Sequence, residues 1–202
     1  MPKVAVIRTG LANLASVLAG LRRAGGEPEV TEDPAVVRAA THAVLPGVGA
    51  FGAAMTKLDP SGLAEEVRAR IAANRPTLCV CLGLQLLTEQ SEETPGVRGL
   101  GVLPIHIRRF SGDVRVPQLG WNRVEAPAGA RYLQSGYAYF ANSFYAPSAP
   151  EGWLPAHTEH GVRFVSALER GNILACQFHP ELSGDWGAAL LKRWVETPVE
   201  VR

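Results

Sequence analysis

Two short stretches carry side chains capable of covalent chemistry. "LCVCLGLQLL" (residues 78–87) holds Cys79 and Cys81, and "ACQFHPELSG" (residues 175–184) holds His179 and Glu181. A thiol, an imidazole and a carboxylate make a complete nucleophilic set: the sulfur attacks, the ring moves a proton, and the carboxylate holds the ring in one tautomer. Each stretch is weak by itself. A cysteine in an apolar run is most often a small buried hydrophobe, and His-Pro-Glu also fits an ordinary surface turn. Cys81 and His179 stand 98 positions apart, so only the fold can bring them together.

Of the two thiols, Cys81 is the better placed. If Thr77–Val80 is a strand and Leu82 opens a helix, Cys81 occupies the sharp turn between them, with Gly83 two places on to let the backbone pass close to its neighbours. That is a nucleophile elbow with sulfur in place of a hydroxyl, set at the carboxyl end of a strand where open α/β sheets bind ligands. The helix start favours a thiolate, and the N–H of Leu82 is positioned for an oxyanion. Cys79, two residues back, is expected on the same side of the strand but deeper, as an inert core residue. In the second stretch, Pro180 biases His179 toward extended backbone. Residues i and i+2 of an extended segment share a face, which sets His179 beside Glu181.

The elements that must position these groups change character midway. Val4–Ile7, Ala43–Leu45 and Thr77–Val80 read as short buried strands. Leu14, Val17, Leu18 and Leu21 repeat with helical spacing and stop at Gly25-Gly26. A helical stretch runs from the "PGVGAFG" turn to about Asn74, and another covers Leu82 to Gln90. Alternating strands and helices imply a mostly parallel sheet covered on both faces. From Gly96 to Ala175, short runs broken by Gly and Pro (Val102–Ile107, Tyr137–Ala141, Arg163–Leu168) imply an antiparallel extension. Trp186, Leu190, Leu191, Trp194 and Val195 line one face of a closing helix, capped by Ser183 or Asp185. The expected architecture is one three-layer α/β domain.

Composition narrows the function classes. The chain has 202 residues, 47% apolar and 19% charged, with a net charge of +1, an ordinary globular balance that gives no footprint for a polyanion. No apolar run reaches membrane-span length, and the opening "MPKVAVIRTG" does not read as a signal peptide. A cytoplasmic protein is expected, with Cys79, Cys81 and Cys176 as free thiols. "TGLAN" is too short for a dinucleotide fingerprint, and no Walker-type loop is present. Cys79, Cys81, His157 and His160 do not match a common zinc spacing. No metal or cofactor is expected, and His42 and His106 are expected at the surface.

Together these residues resemble the class I (Triad) glutamine amidotransferases, whose pattern is Gly-x-Cys-x-Gly with a following Gln and a late His-Pro-Glu. Here the pattern falls on Cys79, Cys81, Gly83, Gln85, His179, Pro180 and Glu181, with Cys79 replacing the first glycine. "LPGVGAFG", "SEETPGVRGLGVLP", "PQLGWN", "YFANSFY" and "QFHPELS" resemble, more narrowly, the glutaminase subunits of imidazole glycerol phosphate synthases.

The resemblance implies the class I amidotransferase fold over residues 1–202 and hydrolysis of glutamine to glutamate and ammonia. Cys81, His179 and Glu181 would be the triad. Pro46-Gly47-Val48-Gly49 would be the oxyanion strand, giving an N–H from Val48 or Gly49 beside that of Leu82. Gln85, Ser143 and Phe144 would hold the amino-acid end of the substrate. Asn142-Ser143-Phe144 departs from the usual His-Thr/Ser-Tyr, and Leu182 stands where a Lys is usual, so roles of those side chains do not carry over.

The resemblance also implies a partner. Ammonia freed into neutral water is mostly protonated and no longer a nucleophile, so it must be handed over in a dry passage. The acceptor would be a (β/α)8-barrel cyclase that converts N′-[(5′-phosphoribulosyl)formimino]-5-aminoimidazole-4-carboxamide ribonucleotide. Its products are imidazole glycerol phosphate and AICAR in histidine biosynthesis. Gln118, Gly120, Trp121 and Asn122 are the expected facing residues. Two alternatives stay open: a glutaminase serving another synthase, and a non-catalytic redox sensor using a Cys79–Cys81 link.

Overall fold

A computed structural model describes residues 1–9 and 14–198. Gly10 to Asn13 of the "TGLAN" stretch lie outside the described residues.

A seven-stranded sheet forms the middle layer. Its parallel part contains β1 (Lys3–Ile7), β2 (Glu27–Thr31), β3 (His42–Leu45), β4 (Thr77–Val80) and β12 (Ile173–Cys176). β11 (Arg163–Arg170) and β10 (Leu154–Glu159) add antiparallel to β12, giving the order β10-β11-β12-β4-β3-β1-β2. β12 therefore lies beside β4, with Ala175 opposite Cys79 and Cys176 opposite Val80. Both parallel strands end at the same edge, so the residues after Val80 and after Cys176 emerge together. This register brings the two chemical stretches into one place.

Side-chain alternation divides the core. Ala5, Ile7, Ala43, Leu45, Cys79, Ile173 and Ala175 pack on one face against α2 (Pro34–Ala39), α3 (Phe51–Leu58), α4 (Leu63–Ala72) and α5 (Leu82–Leu86). Val4, Val6, Val44, Leu78, Val80, Leu174 and Cys176 pack on the other against α1 (Leu14–Arg23) and α6 (Gly184–Val195). That second face is also covered by a two-stranded hairpin of β7 (Gln118–Val124) and β8 (Gly136–Asn142). A smaller sheet of β5 (Thr88–Ser91), β6 (Leu103–Arg109) and β9 (Phe144–Tyr145) completes the expected extension.

The structure corrects several expectations. The helix expected over Leu82 to Gln90 stops at Leu86, because Thr88–Ser91 pairs with β6 as β5. The helical stretch to Asn74 is two helices, broken where Gly62 takes φ 76°. β2 and α2 give no clear sequence signal. β2 is a charged edge strand containing a proline, and α2 is short, although Asp33 caps it by accepting from the Ala35 N–H at 2.7 Å. Ser183 holds the N-cap position of α6 but does not cap it; its hydroxyl donates to the His179 carbonyl at 2.6 Å and accepts from the Tyr139 N–H at 2.9 Å.

His42 is buried, not superficial. Its ring meets Trp194 edge-to-face at 5.0 Å between centroids. Burial pushes its pKa down from 6.5 to about 4; the nearby Trp194 backbone works against this, and the Arg70 charge works with it. His106 is exposed and pairs with Glu89 at 3.2 Å.

The His42 site makes stability depend on pH. Below pH 6.5 the unfolded chain takes up a proton that the folded ring refuses, so His42 favours the folded state fully above 6.5 and progressively less down to about 4. The full swing is roughly 3 kcal/mol at most. His42→Phe should flatten this part of the pH–stability curve, measured as the urea midpoint between pH 7 and pH 4. An unchanged slope would remove His42 from the acid response.

Candidate active site

The turn between β4 and α5 holds Cys81 at φ 54° and ψ −109°, a conformation an L-residue adopts only under constraint, at a cost of roughly 1–3 kcal/mol. Backbone contacts supply the constraint. The Cys81 N–H donates to the Cys176 carbonyl at 2.7 Å, and the Cys81 carbonyl accepts from the N–H groups of Leu84 at 3.1 Å and Gln85 at 3.3 Å. Gly83 sits against the backbone of Leu45 so closely that a Cβ there would collide with the Leu45 carbonyl oxygen.

The positive φ also reverses the side chain. By alternation Cys81 would lie on the Cys79 face, as the sequence suggests. Instead it packs with Val80, Leu78 and Cys176 on the α1–α6 face, while Cys79 lies on the other face. Burial alone drives the Cys79 thiol far above its ordinary range. Burial does the same to Cys176, with Glu181 and the other two thiols adding to it.

His179 follows β12 and is anchored by a bridge to Tyr139 of β8, its N–H donating to the Tyr139 carbonyl at 2.9 Å. Its Nδ1 lies 2.9 Å from Glu181 Oε1, and both side chains are nearly buried. Burial pulls the His179 pKa down, but a hydrogen bond to Cys81, another to Glu181, and the negative charge of both outweigh it and raise the ring to about 10. With Nδ1 committed to Glu181, the ring has only Nε2 left to turn toward Cys81. Near neutrality it is charged, with a proton ready to give.

The other expected residues fall around this centre. The Leu82 N–H, the expected oxyanion donor, is occupied: it donates to the Gly47 carbonyl at 3.3 Å. Thr9 holds the neighbouring Pro46 carbonyl at 3.0 Å. Gly49 takes φ 110° with open space where a Cβ would stand. A cavity of about 140 Å³ lies between Pro46, Gly47, Val48, Val80, His179 and Leu182.

Gln85 is buried; its Nε2 donates to the Phe144 carbonyl at 3.3 Å and to Gln177 Oε1 at 2.9 Å. Ser143, on the turn from β8 to β9, and Phe144, the first residue of β9, are half-buried. Gln177 is a site residue that sequence reasoning missed. It is fully buried, and its Nε2 donates to Cys81 Sγ at 3.4 Å. A signal is present, since Gln177 precedes His179 by two positions in an extended segment and is an uncharged polar residue inside an apolar run.

Of the expected partner-facing residues, Trp121 is exposed at 57% while Gln118 is buried at 4%. Gln118 and Asn122 lie on the inward face of the hairpin, opposite Asn142 and Ala138, and the Asn122 side chain donates to the Glu159 carbonyl at 2.8 Å. Gly120 is half-buried between them. The outward face instead carries Leu119, Trp121 and Tyr137. His157 pairs through its backbone with Glu125, and the His160 ring meets Phe110 and the Arg115 carbonyl.

Residues 27–196 match the family glutamine amidotransferase class-I. This chain belongs to the class-I glutamine amidotransferase family. It is 41% identical over 196 residues to imidazole glycerol phosphate synthase subunit HisH of Methanothermobacter thermautotrophicus, spanning 96% of this chain and 98% of that one. It is 43% identical over 189 residues to the HisH subunit of Thermus thermophilus, spanning 94% of each. The fold matches a crystal structure of a glutamine amidotransferase with a TM-score of 0.76 at 21% identity, over 95% of this chain and 98% of that one. It also matches a glutamine amidotransferase from Thermotoga maritima with a TM-score of 0.62 at 17% identity, over 96% and 81%. Among the described residues, no helix is long and apolar enough to cross a membrane.

The charge on His179 is testable. In the intact protein its ring should remain protonated to about pH 10. In Cys81→Ala one of the two groups that raise it is gone while burial remains, so titration should move down by a unit or more. Ring proton shifts followed by NMR give both values, and an identical midpoint in the two proteins would disconnect Cys81 from His179.

Proposed function

We propose that this chain is the glutaminase subunit of an imidazole glycerol phosphate synthase, with Cys81, His179 and Glu181 as its triad. The observation that carries the reading is the coupling of a buried His179–Glu181 pair to a sulfur held on a strained elbow. Cys81 attacks the side-chain amide carbon of glutamine. His179 gives its proton to the leaving nitrogen, the C–N bond breaks, and ammonia departs from a thioester. His179, now neutral, takes a proton from water; the hydroxide attacks the thioester and releases glutamate. Glu181 keeps the ring oriented throughout. Residues 1–202 act as one amidotransferase domain.

The oxyanion site is closed at rest in this reading. A carbonyl oxygen, that of Gly47, fills the place where a developing negative charge must sit. Turning the Gly47–Val48 peptide over would replace that carbonyl with the Val48 N–H and free Leu82, giving two donors. Such a turn changes ψ of Gly47 and φ of Val48, and Gly47, with no Cβ, takes up its share at little steric cost.

The relatives are named as subunits, so a second subunit is implied. We propose that it is a (β/α)8-barrel cyclase, docked on the face that carries Leu119, Trp121, Tyr137, Val48 and Leu182, all exposed apolar residues. Val48 and Leu182 line the cavity beside His179, so a partner there would cover the exit for ammonia and adjoin the strand that must turn. A redox-sensing role through a Cys79–Cys81 link is disfavoured by the two thiols lying on opposite faces of the sheet.

In the assembled complex, Cys81→Ala should lower glutamine hydrolysis by about 10³-fold or more while cyclisation with added ammonia survives. Cys79→Ala should keep most activity. His179→Ala should cost about as much as Cys81→Ala, and Glu181→Ala about ten- to a hundredfold, because it orients and does not transfer. Glutamate release, measured with and without a cyclase barrel and its nucleotide ligand, tests the function. Neutral His179 and Glu181 variants would end the triad assignment.

A further inference from the structure

A chain of buried amides runs from a backbone carbonyl to the sulfur. The Phe144 carbonyl accepts from Asn142 Nδ2 at 2.9 Å and from Gln85 Nε2 at 3.3 Å. Gln85 Nε2 also donates to Gln177 Oε1 at 2.9 Å, and Gln177 Nε2 reaches Cys81 Sγ at 3.4 Å. Gln177, Asn142 and Gln85 are all at least nine-tenths buried.

The polarity of this chain follows from its first member. A backbone carbonyl only accepts, so both side-chain amides facing Phe144 must turn their nitrogens toward it. With the Gln85 nitrogen fixed, Gln177 must offer its oxygen there, because two N–H groups would repel. Gln177 then has its NH₂ group left for the sulfur. Turning it over would put a carbonyl oxygen against the sulfur and a donor against a donor. The Gln177 backbone is fixed too, its N–H donating to the Ser166 carbonyl at 2.8 Å.

We propose that Gln177 is a positioning residue with two separate tasks: its NH₂ group holds and stabilises the attacking sulfur of Cys81 opposite His179, and its oxygen locks Gln85 so that Gln85 presents its own oxygen to the substrate. This rests on the glutaminase reading above. The sulfur then meets two donors, the His179 ring and an uncharged amide, which steady it before attack and recapture it when the thioester breaks. Gln85, with both N–H bonds spent, is left only an acceptor, which suits a donor such as the ammonium group of an amino acid.

Two substitutions separate the tasks. Gln177→Glu keeps an oxygen for Gln85 and loses the donor to sulfur. Gln177→Met loses both. Measured in the complex with the partner subunit, Gln177→Glu should lower kcat about tenfold or more with KM for glutamine within about twofold. Gln177→Met should lower kcat similarly and also raise KM by about tenfold. Alkylation of Cys81 by iodoacetamide at neutral pH, with Cys81→Ala as the blank, should slow by about tenfold in both. A Gln177→Glu protein with unchanged kcat and alkylation rate would overturn the proposal. If neither variant unfolds cooperatively, the intact protein still decides: the Gln177 side-chain amide protons, followed by NMR, should shift in Cys81→Ala, and identical shifts would overturn it. A parent protein lacking Cys81-dependent glutamine hydrolysis would instead defeat the glutaminase reading, leaving the alkylation and NMR results to judge the hydrogen bond.

Discussion

The site depends on a backbone angle that Cys81 does not choose freely. A positive φ on a β4-to-α5 junction lifts the sulfur off the face that strand alternation assigns it and turns it toward β12. The strain, about 1–3 kcal/mol, is offset by contacts that exist only in the completed sheet: the Cys176 carbonyl on the Cys81 N–H, and Leu45 packed onto Gly83. Neighbouring strands β3 and β12 thus hold the elbow from both sides. A sulfur on an ordinary strand would share the fate of Cys79, buried and inert.

The same adjacency explains why the remaining chemistry arrives so late in the chain. β12 is the last strand among the described residues and enters the sheet next to β4, after the antiparallel β10–β11 extension in the chain. Its register places Cys176 beside Val80, so the segment that follows it, Gln177 to Pro180, passes directly over the elbow. Alternation along that segment gives Gln177 and His179 access to Cys81 while Phe178 enters the core. One strand end therefore delivers both the amide that donates to the sulfur and the imidazole whose charge responds to it.

How much of this is readable follows from which interactions are local. The strands Val4–Ile7 and Thr77–Val80, the helix from Leu14 and the closing helix are readable because their apolar periodicity survives in the fold. β2 and α2 are not: the edge strand Glu27–Thr31 alternates only between exposed and half-buried positions as far as Val30 and carries Pro28, which reads against a strand, and six residues are too few for a helical pattern. The helix from Leu82 reads too long because Thr88 answers to a distant strand, β6. The pairing of His179 with Glu181 is legible from residue type, but Glu181 reaches the ring from a 3-10 turn over Pro180–Leu182 and not from the extended segment that the i, i+2 spacing suggests. The reversed side chain of Cys81, the burial of His42 and Gln118, and the part played by Gln177 are not legible. Each is decided by a neighbour remote in sequence: Cys176, Trp194, Asn142 and Gln85 respectively.

The hairpin β7–β8 brings the two sides of the proposed function together. Its register sets Leu119 opposite Ala141 and Trp121 opposite Tyr139 on the outward face, and Gln118 opposite Asn142 and Gly120 opposite Phe140 on the inward face. Outside, it offers exposed apolar side chains to a partner. Inside, Asn142 grips the Phe144 carbonyl from which the amide chain to Cys81 begins, and the Tyr139 carbonyl anchors His179. A two-stranded ribbon covered on one side only is among the more deformable parts of a fold. Pressure on its outer face would therefore be felt first at the His179 anchor and at Phe144, where the amide chain to the sulfur begins. Gly47 and Val48 line the cavity beside His179, and so does Ala141 of β8. Docking that touches Val48 and Trp121 together would act on the donor strand and the hairpin at once, which gives a physical reason for the two to share one surface.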